Sequence, residues 1–243
     1  FNDIDIEFSD AYEITQGIFA RDVIYKVQEA NFGAFEFGAG YGEYERFRGF
    51  FDVSYKNLFG MNRQASLRTE VSSIEQRYIL TYNEPWFIFR DTALKALLMH
   101  EYRKEQTVDS RETRYRLRRE TASVGIEKKI SENFKAELYY GLSYVKILEI
   151  KPDVVLSKED TGTLVISALR PGIIYDTRDN PYEPKKGFIA GITLKAASSV
   201  LLSESQFIKV QLYVNKYNSL NDWLTLAVSA RAGFANGMGD TNE

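Results

Sequence analysis

Apolar and polar residues take turns through most of this chain, and a period of two places successive side chains on opposite faces of an extended strand. Phe35, Phe37, Ala39 and Tyr41 alternate with Ala34, Glu36, Gly38 and Gly40. This strand carries small or flexible residues on one face and should pair weakly. Phe47 to Tyr55 reads as the next strand, then Ala65, Leu67, Thr69 and Val71, then Tyr78, Leu80 and Tyr82, then Leu94, Ala96, Leu98 and His100 with Tyr102 beyond. Tyr115 and Leu117 stand opposite Arg114, Arg116 and Arg118. The same strand continues through Ala122, Val124 and Ile126 against Ser123, Gly125 and Glu127, so that one face reads as apolar and the other as charged or small. Four more runs follow: Ala136 to Tyr144, a strand leading into Tyr175, Phe188 to Ala196, and Ile208 to Val214. The cleanest alternation comes last, with Leu224, Leu226, Val228, Ala230, Ala232 and Phe234 on one face. The total is about eleven strands.

Ahead of them, Ile4, Ile6 and Phe8 alternate with Asp3, Asp5 and Glu7, and Val23, Tyr25 and Val27 with Ile24, Lys26 and Gln28. The pattern predicts a separate hairpin with a wet face over residues 1–30, too small to be stable alone. Glu29 to Gly33 is read as the linker to a main region over 31–243.

Connections between the strands read as alternately short and longer, with turns at Asn57–Gly60, Asn83–Phe87, Ser131–Asn133 and Ser219–Asp222 and a long polar loop from Glu149 to Gly162. A soluble sandwich has no reason to lengthen the loops at one end. A membrane barrel does, with lipid on the apolar face and water or a plug on the polar face, so the pattern favours a barrel over a sandwich. Composition leaves both open. Tyr and Phe number 16 each beside two Trp, a bias towards strand formers that also suit a membrane interface. No run approaches the roughly 18 apolar residues of a membrane helix, which excludes a helical span and leaves a barrel untouched. The 31 basic and 34 acidic residues give a net charge of -3, no electrostatic reason to expect nucleic acid as a partner. With no cysteine, disulfides, thiolate metal sites and cysteine nucleophiles are all excluded. The first residue is Phe1 with no signal segment behind it, and the tail from Asn236 to Glu243 reads as the start of a loop, so the chain is expected to be a piece of a longer mature protein whose closing strands lie elsewhere.

The stretch Tyr175 to Gly187, YDTRDNPYEPKKG, sets charge and two prolines between two alternating runs. Asp176, Arg178 and Asp179 bring opposite charges within reach of one another, which predicts a charged cluster fixing a short turn rather than catalysis. Pro181 and Pro184 fix φ, and Gly187 admits a backbone geometry that other residues resist. His100 is the single histidine and has no spaced partner for a metal or a nucleophile triad, so it is assigned to an interface position. Arg111, Arg114, Arg116, Arg118 and Arg119 read either as a solvated hairpin or as a basic stripe inside a barrel. No serine–histidine–acid set is credible, and no cofactor or enzymatic activity is expected.

The order of Asp22–Glu29, the Gly38/Gly40 strand, Asn57-Leu-Phe-Gly60, Glu84-Pro85-Trp86-Phe87 and Asp176-Thr-Arg-Asp179 with Pro184 and Gly187 resembles the BamA/TamA superfamily of outer-membrane β-barrel assembly proteins. The resemblance covers nearly the whole chain. It implies an all-β fold, a transmembrane antiparallel β-barrel with about eleven of sixteen strands present, preceded by the terminal hairpin of a POTRA domain. It also implies a seam at the first strand, Phe35, Phe37, Gly38, Ala39, Gly40 and Tyr41, with Asn57, Gly60, Glu84, Pro85, Pro184 and Gly187 as the family's turn residues. Asp176, Arg178 and Asp179 would lie on the periplasmic side. The glycines read equally as aids to unpairing or as relief of curvature. The implied partners are unfolded outer-membrane protein clients, outer-membrane lipids and accessory periplasmic or lipoprotein subunits. A protein-secretion pore of the same superfamily and a passive porin are the alternatives.

Overall fold

A computed structural model of the chain describes residues 3–15, 17–28, 31–107, 112–152, 154, 162–221 and 223–238. Contacts divide it into two compact units, Phe1–Ala34 and Phe35–Glu243, where the sequence pattern placed the division at 30/31. In the first unit β1 (Asp3–Phe8) pairs antiparallel with β4 (Val23–Gln28), in register from Asp3 with Gln28 to Phe8 with Val23. The two are not a simple hairpin. The segment between them folds back on itself as β2 (Tyr12–Thr15) and β3 (Ile18–Ala20), a short ladder around Gly17 at φ 82. The alternation there is too brief to stand out in the sequence.

The second unit is one antiparallel sheet in which every strand pairs with its neighbours in the chain. Its strands are β5 (Gly33–Gly42), β6 (Arg46–Leu58), β7 (Arg63–Ser72), β8 (Glu75–Glu84), β9 (Thr92–Gln106), β10 (Thr113–Lys129), β11 (Phe134–Leu148), β12 (Thr163–Asp176), β13 (Lys186–Ala197), β14 (Phe207–Ser219) and β15 (Thr225–Gly237). The eleven strands agree with the number read from the alternation. Among the described residues there is no α-helix, only a 3-10 turn at Ser199–Leu201. Arg111, Asp222, most of the loop before Gly162 and the tail beyond Met238 lie outside the described residues.

Register assembles the side chains into two unlike faces. On one, Leu80, Leu98, Ala122, Leu142 and Ser167 form a single row across five strands. Val124, Leu138, Ile173 and Leu212 on that face remain 46%, 41%, 49% and 46% exposed, which a sheet bathed in water would not sustain. An aromatic cluster sits at one end of this face, with the Tyr175 ring 4.6 Å from Phe134 and 5.5 Å from Phe188. Farther along the same face Ser167 is fully buried and donates its hydroxyl hydrogen to Tyr140 Oη at 2.7 Å. The other face is polar and is held by ion pairs.

Two expectations fail. β10 does not keep one apolar face. Its ladders to β9 and β11 run unbroken from Arg116 to Lys128, so Arg116, Arg118 and Glu120 share a face with Ala122, Val124 and Ile126. The strand is 17 residues long and extends past the apolar band, and the face becomes charged along its length. The loops also lack a clean asymmetry. On the side opposite the start of β5, Ser73 and Ile74 alone join β7 to β8 while residues 149–162 join β11 to β12; on the near side the connection 177–185, expected to be short, is long.

Candidate functional site at the edge strand and its turns

β5 forms one edge of the sheet, hydrogen-bonded to β6 alone among the described residues. Phe35, Phe37 and Tyr41 project from it 70%, 75% and 75% exposed, with Ala39 among them on the same face. The opposite face bears Gly38 and Gly40. A Cβ at Gly38 would lie 2.5 Å from Phe50 Cε1, and one at Gly40 would lie 3.4 Å from Arg48 Nε. Gly38 thus makes room for the Phe50 ring, a reason beyond the two that the sequence suggested. Arg68 covers the ring from outside, its Cζ 5.5 Å from the centroid. Arg68 Nε donates to Glu70 at 2.6 Å, and Glu70 accepts from Arg77 at 3.1 Å. Arg77 also pairs with Glu75 and lies 3.7 Å from Glu101, whose buried carboxylate accepts from Arg119 at 3.0 Å. Together with Gly38, Gly40 and Arg48, the side chains of Phe50, Arg68, Glu70, Glu75 and Arg77 border a concavity of about 420 Å³ on the polar face beside the edge.

Antiparallel topology puts the turn residues singled out in the sequence at one end of the sheet, the end at which β5 begins. Asn57, Phe59, Gly60 and Asn62 all have positive φ, at 73°, 57°, 72° and 55°. Asn and Gly tolerate that geometry, which is why they fall here. Asn57 Oδ1 accepts from the Asn62 N–H at 2.8 Å and closes the turn. Glu84 accepts from Arg63 at 2.7 Å and from the Tyr82 hydroxyl at 3.1 Å, tying the end of β8 to the start of β7, and Pro85 then diverts the chain.

Asp176, Arg178 and Asp179 do not form a single cluster. Arg178 forks onto Asp176 through Nε at 2.9 Å and Nη2 at 2.7 Å, and its Nη1 donates to the Pro181 carbonyl at 3.0 Å. Asp179 serves the backbone instead, accepting from the N–H groups of Asn180, Lys185 and Lys186 at 2.9, 3.0 and 3.1 Å. The Lys186 and Lys185 N–H groups hold its carboxyl below the usual aspartate range. Gly187 is required twice over. Its φ is 93°, and a Cβ would lie 2.2 Å from the Thr177 carbonyl oxygen. Pro184 is half-buried between these two anchors. The constellation is structural, a braced loop 177–185.

The arginine run divides between faces. Arg116 pairs with Glu149 at 2.6 Å and Arg118 with Glu120 at 2.5 Å on the apolar side of the sheet, whereas Arg119 reaches Glu101 on the polar side. A basic stripe lining one face is not what these residues make. His100 Nδ1 is 3.5 Å from Glu120 Oε1 and its ring 6.1 Å from Tyr78, at the border between apolar band and charged rim, where an interface residue was expected.

Sequence reasoning missed the hub of the polar face. Glu127 accepts from Lys95 at 2.8 Å, from Lys135 at 3.1 Å and from the Tyr139 hydroxyl, while the Tyr139 ring lies over Gly125. Alternation had put Glu127 and Gly125 on the polar face, but only register shows that they meet Lys95 and Tyr139.

Residues 57–242 match the Omp85 superfamily domain. The chain is 21% identical over 210 residues to the outer membrane protein assembly factor BamA of Neorickettsia risticii (strain Illinois), covering 86% of this chain and 28% of that protein. It is similar in structure to BamA from Haemophilus ducreyi lacking POTRA domains 1-3, with a TM-score of 0.71 at 20% identity over 97% of this chain and 47% of that one. CdiB from Escherichia coli is also similar, with a TM-score of 0.65 at 14% identity over 96% and 45%. The chain therefore spans 28% of the curated relative's length. These likenesses give the fold as a transmembrane antiparallel β-barrel, whose apolar face meets lipid and whose polar face lines the lumen.

Proposed function

The chain belongs to the Omp85 superfamily, and from that premise we propose that it is the barrel part of a machine that assembles β-barrel proteins and inserts them into a bacterial outer membrane through a seam at β5. The observation that carries the reading is the make-up of β5, whose Gly38 and Gly40 leave its polar face without side chains to lock it to a partner while Phe35, Phe37 and Tyr41 stand exposed on the other, a composition suited to an edge that can unpair. In lipid every unpaired N–H and C=O is costly, so a client strand gains by adding its backbone to such an edge. No bond is made or broken. The work is done by templating, with no cofactor, and the partners are unfolded outer-membrane proteins, the surrounding lipids and accessory periplasmic or lipoprotein subunits. Residues Phe1–Ala34 fit the end of a POTRA domain, and the braced turns at Asn57, Glu84 and Asp176 fit the periplasmic end of the barrel. A second reading, a protein-translocation pore, is supported by the likeness to CdiB at a TM-score of 0.65.

The test is folding of an unfolded barrel client into lipid vesicles with and without the full-length protein, scored by protease protection and gel mobility. Accelerated folding is the expected result. Steady ion conductance without acceleration would turn the assignment to the translocation pore.

A further inference from the structure

The lumenal face is not uniform in charge. From β6 to β11 most of its cations meet carboxylates, as at Arg77, Arg119, Lys95 and Lys135, with Lys56 and Lys129 near strand ends as exceptions. From β12 to β15 they do not. Arg170, Lys195, Lys209 and Arg231 make no ion pair among the described residues, although each points to the polar side by register. Lys195 stands directly opposite Lys209, and Leu169 opposite Ala196 brings Arg170 alongside Lys195. Like charges in directly opposed positions destabilise a ladder. Three adjacent cations spaced by the strand separation of about 4.8 Å therefore form a row that no carboxylate among the described residues pairs with. Glu137, the nearest carboxylate in the ladder, is one row away, opposite Gly172 while Arg170 faces Tyr139.

We infer that the row Arg170, Lys195 and Lys209 is a lumenal binding site for an acidic polypeptide segment. Its place on the polar face, away from the apolar one, removes acyl chains from consideration. Nucleic acid fits poorly, because the rings that could stack a base are already covered. Arg170 Cζ lies 4.5 Å from the Tyr139 ring centroid, and Lys195 Nζ lies 5.7 Å from that of Phe207. Carboxylates two apart on an extended chain are about 7 Å apart, close enough in spacing for each to bridge neighbouring cations of the row. Low-dielectric barrel walls concentrate the field of these charges into the lumen and attract such a segment before contact. The site deepens the proposed function by giving it an acidic stretch of polypeptide as partner, and it rests on that reading for its biological setting alone.

The experiment is fluorescence anisotropy of a labelled oligoglutamate peptide against the full-length protein in detergent, with unlabelled oligoglutamate, oligolysine, inorganic phosphate and a short oligonucleotide as competitors. Oligoglutamate should bind, bind less well as salt rises, and lose about tenfold in affinity in the Lys195→Gln, Lys209→Gln double variant. Lys216→Gln, on the lipid-facing side of β14, should change nothing. Heat-dependent gel mobility reports whether each variant is folded, and Lys195→Glu provides a second route to the same loss. Unchanged affinity in the folded variants, absence of binding, or more effective competition by phosphate or the oligonucleotide than by oligoglutamate would overturn the inference. The readout needs neither client nor insertion, so its failure leaves the assembly reading standing, and failure of the vesicle assay leaves the site standing.

Discussion

β5 and β10 belong to the same sheet and are held in it very differently. β10 has ladders on both sides, from Arg116 with Leu148 to Lys129 with Lys135 and from Thr113 with Gln106 to Lys128 with Thr92. Its lumenal side chains are tied to both neighbours through Glu127. β5 has ten residues and glycines on its polar face where β10 has a charged hub; what rests on it from β6 is the Phe50 ring. β10 is tied to its neighbours by side chains as well as backbone, whereas β5 is tied to β6 by little beyond the backbone ladder. A barrel that must open needs both kinds of strand, since a seam opens only where the rest stays shut.

The largest effect should come from removing the hub. Glu127→Gln leaves Lys95 and Lys135 facing a neutral amide in a site where the carboxylate is only 12% exposed but the lysines are 42% and 39% exposed, and should lower the stability of the folded barrel by about 2.5 kcal/mol, measurable by denaturant unfolding in detergent. A smaller effect separates the two glycines. At Gly125 a Cβ would lie 2.2 Å from Tyr139 Cδ1 and 2.5 Å from its Cγ, near the root of the ring, whereas at Gly38 the closest atoms belong to the far end of Phe50. Gly125→Ala should therefore cost about 2 kcal/mol and Gly38→Ala less than about 1 kcal/mol, as compared by the same unfolding curves. Equal costs would mean that the edge is packed as firmly as the centre.

Much of this was legible in the sequence. A period of two identifies strands whatever their surroundings, so the eleven strands and the braced turns at Asn57 and Gly187 could be placed from residue types alone. Two things could not. Alternation does not say whether a bulge interrupts it, and reading Leu117 and Ala122 onto one apolar face supposes such a shift; the unbroken ladders from Arg116 to Lys128 exclude it and turn Arg116 and Arg118 outward. Nor does it say which residues are neighbours across strands, because that depends on register. Glu127 with Lys95 and Tyr139, and the uncompensated row at Arg170, Lys195 and Lys209, exist only once the ladders are aligned. The split of Asp176 and Asp179 into two jobs was invisible for a third reason, since spacing permits both to meet Arg178 and only the path of the loop carries Asp179 away to the Lys185 and Lys186 N–H groups.

The chain has no cysteine, so once any cysteine elsewhere in the full-length protein is replaced by serine, single cysteines can be introduced at Ala39 on β5 and at Val124 on β10 and offered to a client bearing a cysteine in its terminal strand during vesicle insertion. Client crosslinks at Ala39→Cys and none at Val124→Cys are the result that a seam at β5 predicts. Crosslinking of equal yield at both positions, or none at Ala39→Cys while insertion is still accelerated, would contradict it.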